Sequence, residues 1–321
     1  MLNISLRQLQ AIKVIRDTGK ITNAAKQLGL TGPAVTLQLK QVEDMLGISL
    51  FDRTNEGMRL TAAGAAALAC ADEIAESLLT LQETVAALKG VRVGTLRLGA
   101  VSTAKYFVPR MIAAFLKTHP GIEVNLSIGN REKTIESLRH HQVDIVLMGR
   151  PPRDIAVRSA VFGDHPLVIV APQGHRLAQQ HDISKEEMAT EKFILREGGS
   201  GTRISYELFF GSVPEKLDNP GVVMDSNETI KQAVIAGLGV AFISAHTIEQ
   251  EVDLGKLVIL DVVGMPIRRE WFSVSRTDRL ETPVMAAFSE FLIRHGPMHL
   301  PLISKPYPEA TFNLPPKDRN R

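Results

Sequence analysis

Apolar positions in the first 60 residues recur at three- and four-residue intervals and stop at glycines. Leu6, Leu9, Ile12, Val14 and Ile15 form a helical stripe that ends near Thr18-Gly19. A second short helix is expected over about Thr22 to Leu28, closed by Gly29. A third is expected to run from Pro33, a residue suited to a first helical position, to just before Gly47. The tight turn Gly29-Leu30-Thr31-Gly32 between the second and third makes a helix-turn-helix. In the third helix Val35, Leu39, Val42 and Leu46 share one face and must be buried. The opposite face then carries Pro33, Thr36, Leu37, Lys40 and Gln41, and Leu50-Phe51 is expected to pack below a wing over 53–60.

Residues 61–89 read as one long helix, with Thr61 as N-cap and Gly90 as stop. Its apolar residues follow a heptad, with Ala71, Leu78 and Val85 at one position and Ala67, Ile74, Leu81 and Leu88 at the other. Such a seam suits a partner helix, and a helix packed on its own domain is the alternative. Pairing is favoured because a helix joining two domains has little else to bury against; Ile74, Leu78, Leu81 and Val85 are the expected dimer contacts. From Gly94 onward strands (95–100, 122–128, 143–148, 167–171, 192–195, 221–224, 239–243, 271–275) alternate with helices near 104–118, 131–141, 202–210, 227–236 and 281–294. The alternation predicts an α/β architecture with mostly parallel sheets, long enough for two lobes.

A chain of 321 residues exceeds one ordinary domain. The boundaries expected from the pattern are 1–60, a linker helix 61–90, and 91–296. A tail, 297–321, is rich in proline and polar residues and is expected to be disordered. No apolar run reaches the roughly 18 residues of a membrane span, and the N-terminus lacks a signal pattern, which places the chain in the cytoplasm with no membrane partner. The lone Cys70 excludes an internal disulfide and a cysteine-based zinc site, and the nine histidines form no metal-binding motif, so no metal is expected. Net charge is only +2, but residues 1–60 hold eight Lys/Arg against five Asp/Glu, a basic head on a near-neutral body.

That head has the chemistry to read double-stranded DNA. The N-terminal part of a recognition helix meets base edges. Thr31 and Thr36 can hydrogen-bond bases, and Thr36 or Leu37 can meet thymine methyl groups. Lys40, Arg53 and Arg59 suit phosphate or the minor groove. In the body, Ser102-Thr103, Gly129-Asn130, Gly199-Ser200-Gly201-Thr202 and Asp225-Ser226-Asn227 each follow a strand and open a helix. Capping explains any one of them, but helix N-termini also attract anions, and Arg131, Arg150 and Arg203 lie beside these loops. An anionic ligand between two lobes follows. Arg150 is placed best, at the end of the strand Val143 to Met148 and before Pro151-Pro152. Catalysis has little support. Ser102-Thr103-Ala104-Lys105 fits S-x-x-K, but the S-D-N and K-T-G elements that such enzymes need are missing. The run Gly198 to Thr202 lacks the ending of a P-loop.

The head resembles that of LysR-type regulators in a long ordered run: Ala24-Ala25, Leu28, Thr31-Gly32-Pro33-Ala34-Val35-Thr36, Leu46-Gly47-Ile48-Ser49-Leu50-Phe51-Asp52-Arg53 and Thr61-Ala62-Ala63-Gly64. Many relatives have glutamine where this chain has Gly32 and arginine where it has Leu37. Readout here would therefore lean on Thr31, Pro33, Thr36 and DNA shape. The resemblance implies a winged helix-turn-helix, a linker helix and a two-lobed, periplasmic-binding-protein-like α/β effector domain. It also implies a homodimer through the linker helix and a tetramer of two such dimers.

Five further runs are similar to the RuBisCO-operon branch of that family, called CbbR. They are Gly99 to Tyr106, Gly129 to Glu132, Met148 to Pro152, Arg196 to Arg203 and Ser226 to Val234. What this branch implies is control of carbon-fixation genes by a phosphorylated sugar, phosphoenolpyruvate or a nucleotide such as NADPH, with no resident cofactor. The other reading is a LysR-type regulator of another pathway with a different anionic effector. The effector is expected to touch Ser102, Thr103, Asn130, Arg150, Ser200, Thr202, Arg203 and Asn227. Sequence-specific DNA contacts are expected from Thr31, Gly32, Pro33, Thr36, Leu37, Lys40, Arg53 and Arg59.

Overall fold

In the computed structural model, which describes residues 3–54, 57–88, 93–213 and 221–302, the first helix starts at a capping box. The Ser5 hydroxyl accepts from the Gln8 amide, and the Gln8 side chain accepts from the Ser5 amide at 2.8 Å. This helix, α1 (Leu6–Thr18), is followed by α2 (Ile21–Leu28) and α3 (Gly32–Leu46). Gly29, at φ +65°, makes the left-handed turn between α2 and α3. The wing is a two-stranded antiparallel ribbon of β1 (Phe51–Thr54) and β2 (Gly57–Leu60). The long helix α4 (Ala62–Leu88) begins where Thr61 Oγ1 accepts from the Gly64 amide at 3.0 Å.

The chain divides after Leu88 into two compact units. In the first, Ile12, Ile15, Val35, Leu39, Val42, Leu50 and Phe51 are buried together, as the helical stripes require. The first turns of α4 complete this core: Ala71 is buried, and Ala63, Ala67 and Ile74 pack against it. Ile74 is therefore not the free seam residue expected from the heptad, since the head occupies part of its surface. Leu78, Leu81 and Val85 are 41%, 58% and 40% exposed. Gly64 has a separate reason to be glycine, because a Cβ there would collide with the Leu50 carbonyl oxygen. Gly64→Ala is expected to push α4 off the head and lower stability by about 1–3 kcal/mol. A melt of the variant within a degree of the parent would contradict that close approach.

The second unit holds a nine-stranded sheet. Its strands are β3 (Gly94–Val101), β4 (Ile122–Gly129), β5 (Ile145–Met148), β6 (Val157–Pro172), β7 (Phe193–Arg196), β8 (Val222–Met224), β9 (Val240–Ser244), β10 (Leu257–Ile259) and β11 (Ile267–Arg276). The spatial order is β4-β3-β5-β11-β6-β9-β7-β8, with β10 on β6. Strands β3, β4 and β5 are parallel to one another, and so are β7, β8 and β9. The middle differs from the mostly parallel sheet expected. The long strands β6 and β11 run antiparallel and carry the sheet from one lobe into the other, with a register shift between Trp271 and Phe272. Sequence periodicity caught only the apolar C-terminal parts of these two strands, 167–171 and 271–275, because charged and polar residues interrupt the parts before them.

Helices cover the sheet. α5 (Val108–Thr118), α6 (Arg131–Arg139) and α11 (Pro283–His295) belong to the first lobe. α7 (Lys185–Ala189), α8 (Gly201–Phe209), α9 (Asn227–Ile235) and α10 (Glu249–Asp253) belong to the second. The helix expected from 104 is split: Ser102–Tyr106 is a tight 3-10 segment, and α5 starts after it with Pro109 in its first turn. The tail also departs from expectation at its start. Gly296–His299 forms another 3-10 turn, Leu300 is buried in the first lobe's core, and the Leu302 amide donates to Glu249 Oε1 at 2.7 Å. Leu300 fits because Gly163 lacks the side chain that would meet it. The rest of the expected tail, 303–321, and residues 89–92 at the expected linker boundary lie outside the described residues.

Candidate functional site

On the head, α3 turns Val35, Leu39 and Val42 inward and leaves Thr31, Pro33, Leu37 and Lys40 exposed, with Thr36 half-buried. Both threonine hydroxyls are partly engaged. Thr31 Oγ1 caps the helix by accepting from the Ala34 amide at 3.4 Å, and Thr36 Oγ1 donates to the Gly32 carbonyl at 3.0 Å. Thr31 therefore keeps its proton to donate, and Thr36 keeps its lone pairs to accept. A side chain at Gly32 would project into open space, so the missing glutamine leaves a gap on this face. Arg53 and Arg59 stand exposed on the wing, and neither they nor Lys40 make an ion pair among the described residues.

In the second unit the parallel strands deliver their C-terminal ends to one cleft of about 720 Å³, a volume that includes open solvent at its mouth. Ser102 and Thr103 follow β3, Asn130 follows β4, and Gly149-Arg150 follows β5. From the second lobe come Arg196 at the end of β7, and Ser200 and Thr202 at the start of α8. This is the crevice outside the carboxyl ends of parallel strands where α/β sheets bind ligands. Six of the eight residues expected to touch an effector line it: Ser102, Thr103, Asn130, Arg150, Ser200 and Thr202.

The other two do not. Arg203 turns along its own helix to Glu207 at 2.6 Å and lies 5.8 Å from the centre of the Tyr206 ring. Its place next to the glycine-rich loop could not reveal this, because helix phase decides the direction of the side chain. Asn227 sits behind the cleft, where its Oδ1 accepts from Arg196 Nη1 at 2.7 Å, so it positions Arg196. Asn130 serves partly as a cap, accepting from the Lys133 amide at 2.9 Å. The side chain of Ser200 makes no capping bond.

Four charged or titratable residues of the lining were not among the expected effector contacts: Arg131, His165, Arg196 and Arg269. Arg196 ends a buried strand, much as Arg150 closely follows one, and that signal could have found it. His165 and Arg269 lie within β6 and β11, and only the pairing of those two strands brings them together.

The cleft is basic. Arg196 is buried and paired with Glu197 at 2.7 Å, and its Nη2 donates to Ser102 Oγ at 3.2 Å across the lobes. Arg150 and Arg269 have no acidic partner among the described residues. Burial lowers the pKa of Arg131 and of Arg269, and Arg150 lowers both further. Arg150 thus repels both of the other guanidinium groups in a partly dehydrated space, though Asp154 partly offsets this at Arg131, and an anion placed beside Arg150 relieves that repulsion. His165 is held neutral, its pKa pushed well below the usual imidazole value by burial, then by His246 and Arg269.

The S-x-x-K run is not a nucleophile site here. Ser102 accepts from Arg196, and Lys105 turns to Glu228 at 3.6 Å. Among the described residues no cluster is arranged to hold a metal ion, and no helix is long and apolar enough to cross a membrane.

Residues 6–65 match the family described as bacterial regulatory helix-turn-helix protein, lysR family, and residues 89–297 match the LysR substrate binding domain. The HTH-type transcriptional regulator CbbR of Rhizobium meliloti (strain 1021) is 57% identical over 97% of this chain and 100% of its own length. The RuBisCO operon transcriptional regulator of Allochromatium vinosum is 42% identical over 91% of this chain and 96% of its own. Among solved structures, the Synechocystis PCC6803 CcmR regulatory domain in complex with 2-PG is 33% identical. It covers 62% of this chain and 95% of its own, with a TM-score of 0.57.

Proposed function

The chain belongs to the LysR family of transcriptional regulators, and on that premise we propose that it controls carbon-fixation genes in response to a phosphorylated anion held in the basic cleft. It is a DNA-binding regulator and not an enzyme. The observation that carries the effector reading is the group of Arg131, Arg150 and Arg269 around one cleft, with burial and then the charge of Arg150 lowering the pKa of Arg131 and Arg269. A dianion answers that arrangement better than a neutral ligand does. The CcmR domain, a relative of this sensor, is described with 2-PG, which supports the same ligand class here.

The promoter assignment rests on the relatives, since DNA-reading residues say little about adjacent genes. Two copies joined through Leu78, Leu81 and Val85 of α4 would set two heads on one duplex, with half-sites about one helical turn or a multiple apart. A tetramer of two such dimers is the assembly that the family resemblance implies.

On DNA the proposed roles separate cleanly. Arg53→Ala or Lys40→Ala should weaken binding to all sequences and flatten its salt dependence by about 0.9 units of log–log slope per lost phosphate contact. Thr36→Ala should instead change which sequences are preferred, by about 1–3 kcal/mol at the base it reads. Electrophoretic titration on a promoter fragment and on scrambled DNA, at several salt concentrations, measures both. Unchanged affinity and unchanged preference in Thr36→Ala would show that α3 presents another face.

The effector is tested by thermal shift and calorimetry against 2-PG, ribulose bisphosphate, phosphoenolpyruvate, NADPH and ATP, with simple carboxylates as controls. Stabilisation by a phosphorylated ligand alone supports the reading. Stabilisation by a carboxylate alone moves the chain to another pathway within the same family.

A further inference from the structure

The floor of the cleft carries two buried polar atoms without a hydrogen-bond partner, His165 Nδ1 and Arg269 Nε. They belong to residues directly opposite each other in the β6/β11 ladder. Opposite residues project from the same face of a sheet, so the two side chains are neighbours. His165 is only 7% exposed, and its setting is built. The ring stacks on Trp271 at 3.9 Å between centroids and 17° between planes, and Nε2 lies 3.1 Å from Ser244 Oγ. Gly149 lies against the Nδ1 edge, where any larger residue would collide, because a Cβ there would stand 2.7 Å from Nδ1.

The chemistry of the pair is that of an anion site. The Ser244 hydroxyl can donate to Nε2, which puts the ring proton on Nδ1 and makes that atom a donor. Arg269 offers donors only, as does Arg150 close by. The charged and titratable groups around His165 are Arg269 on β11, Arg150 after β5, and His246 in the turn after β9. Among the described residues, none of the groups acting on His165 or Arg269 is an anion.

We propose that His165 and Arg269 form an oxyanion subsite on the crossing strands, where the imidazole Nδ1–H and the guanidinium donate to one phosphate or carboxylate group of the effector. The proposal rests on the reading of the cleft as the effector site and goes further, because it assigns the contact to strands that run through both lobes. Ligand charge held there pulls on the strands that set the lobe arrangement, whereas charge held at the rim touches only loops. Trp271, the single tryptophan of the chain, stacks on His165 and reports the event optically.

The test uses the full-length protein, with 2-PG, ribulose bisphosphate and phosphoenolpyruvate as probes, calorimetry for affinity and Trp271 emission for the local response. The parent is expected to bind at least one probe with a change in emission. Arg269→Gln should weaken that probe about 10- to 100-fold, the loss of a charged hydrogen bond. His165→Phe should weaken it about tenfold. His165→Asn, whose amide carries a donor near the Nδ1 position, should stay within about threefold of the parent. A packing role gives the reverse order, since phenylalanine keeps the stack on Trp271 and asparagine does not.

Unchanged basal DNA binding and melting temperature show that a variant is folded. Should the His165 variants fail that control, nitrogen NMR of the parent decides, with a probe-induced shift of the His165 Nδ1 resonance expected. Parent-like affinity in Arg269→Gln and His165→Phe, with binding lost in Arg150→Ala, overturns the subsite and leaves the cleft reading standing. Parent-like binding in all three, or no probe bound by the parent, overturns both.

Discussion

Arg150→Ala is expected to cut effector affinity about 10- to 100-fold while basal DNA binding survives. Arg150 follows the buried strand β5 by two residues, lines the cleft, and has no acidic partner among the described residues. A hydrogen bond to a charged group contributes roughly 1.5–3 kcal/mol, and each 1.4 kcal/mol is tenfold in affinity. The sign of the stability effect is less obvious. Arg150 lowers the pKa of both Arg131 and Arg269, so its removal relieves repulsion in the unliganded sensor. The unliganded variant should therefore melt no lower than the parent, and the rise in melting temperature on adding ligand should disappear. An inter-lobe ion-pair role for Arg150 gives the opposite pattern, a less stable unliganded protein with ligand affinity retained. Ligand can shift the regulator's state only by its differential affinity for the two arrangements. A hundredfold preference, about 2.7 kcal/mol, lies in the range that allosteric proteins use, and Arg150→Ala should abolish effector-dependent changes on DNA along with it.

Leu78→Glu combined with Leu81→Glu is expected to dissociate the proposed dimer. These side chains, with Val85, form the exposed apolar stripe of α4 beyond the turns that pack on the head. Ile74 is a poorer target, because its partial packing in the head core would mix dissociation with unfolding. Pairing the stripe with a second copy buries it, and two glutamates per helix would then put like charges into an apolar seam. Loss of pairing also separates the heads. Operator affinity should fall by two or more orders of magnitude, because the second head loses its high effective concentration. Light scattering measures the mass, and a mass equal to that of the parent would reject this seam.

The head was legible because each of its signals is local. The stripe Leu9, Ile12 and Ile15, the glycine at 29 and the proline at 33 each act within one helical turn, and the structure places them as the pattern requires. The strand-end residues of the cleft were legible for a similar reason. A hydroxyl or amide that follows an apolar run and opens a helix marks the carboxyl edge of a parallel strand, as at Ser102, Asn130 and Ser200. What could not be read depends on tertiary pairing. His165 and Arg269 look like ordinary polar residues of a strand until β6 and β11 are set side by side. Asn227 shares the helix-opening position of its counterparts, but the guanidinium of Arg196 stands in front of it. Leu300, inside a proline-rich tail, becomes a core residue only because Gly163 leaves a space for it.

The central claim is that a phosphorylated anion in the cleft changes how this regulator sits on the promoter of carbon-fixation genes. Footprinting of the full-length protein on the DNA upstream of its host's RuBisCO operon, with and without 2-PG, ribulose bisphosphate, phosphoenolpyruvate and NADPH, tests it most directly. The expected result is protection of a two-fold site that changes in extent or affinity with at least one of these ligands in the parent and with none in Arg150→Ala. Protection that none of them alters, or no specific protection of that DNA, would contradict the claim.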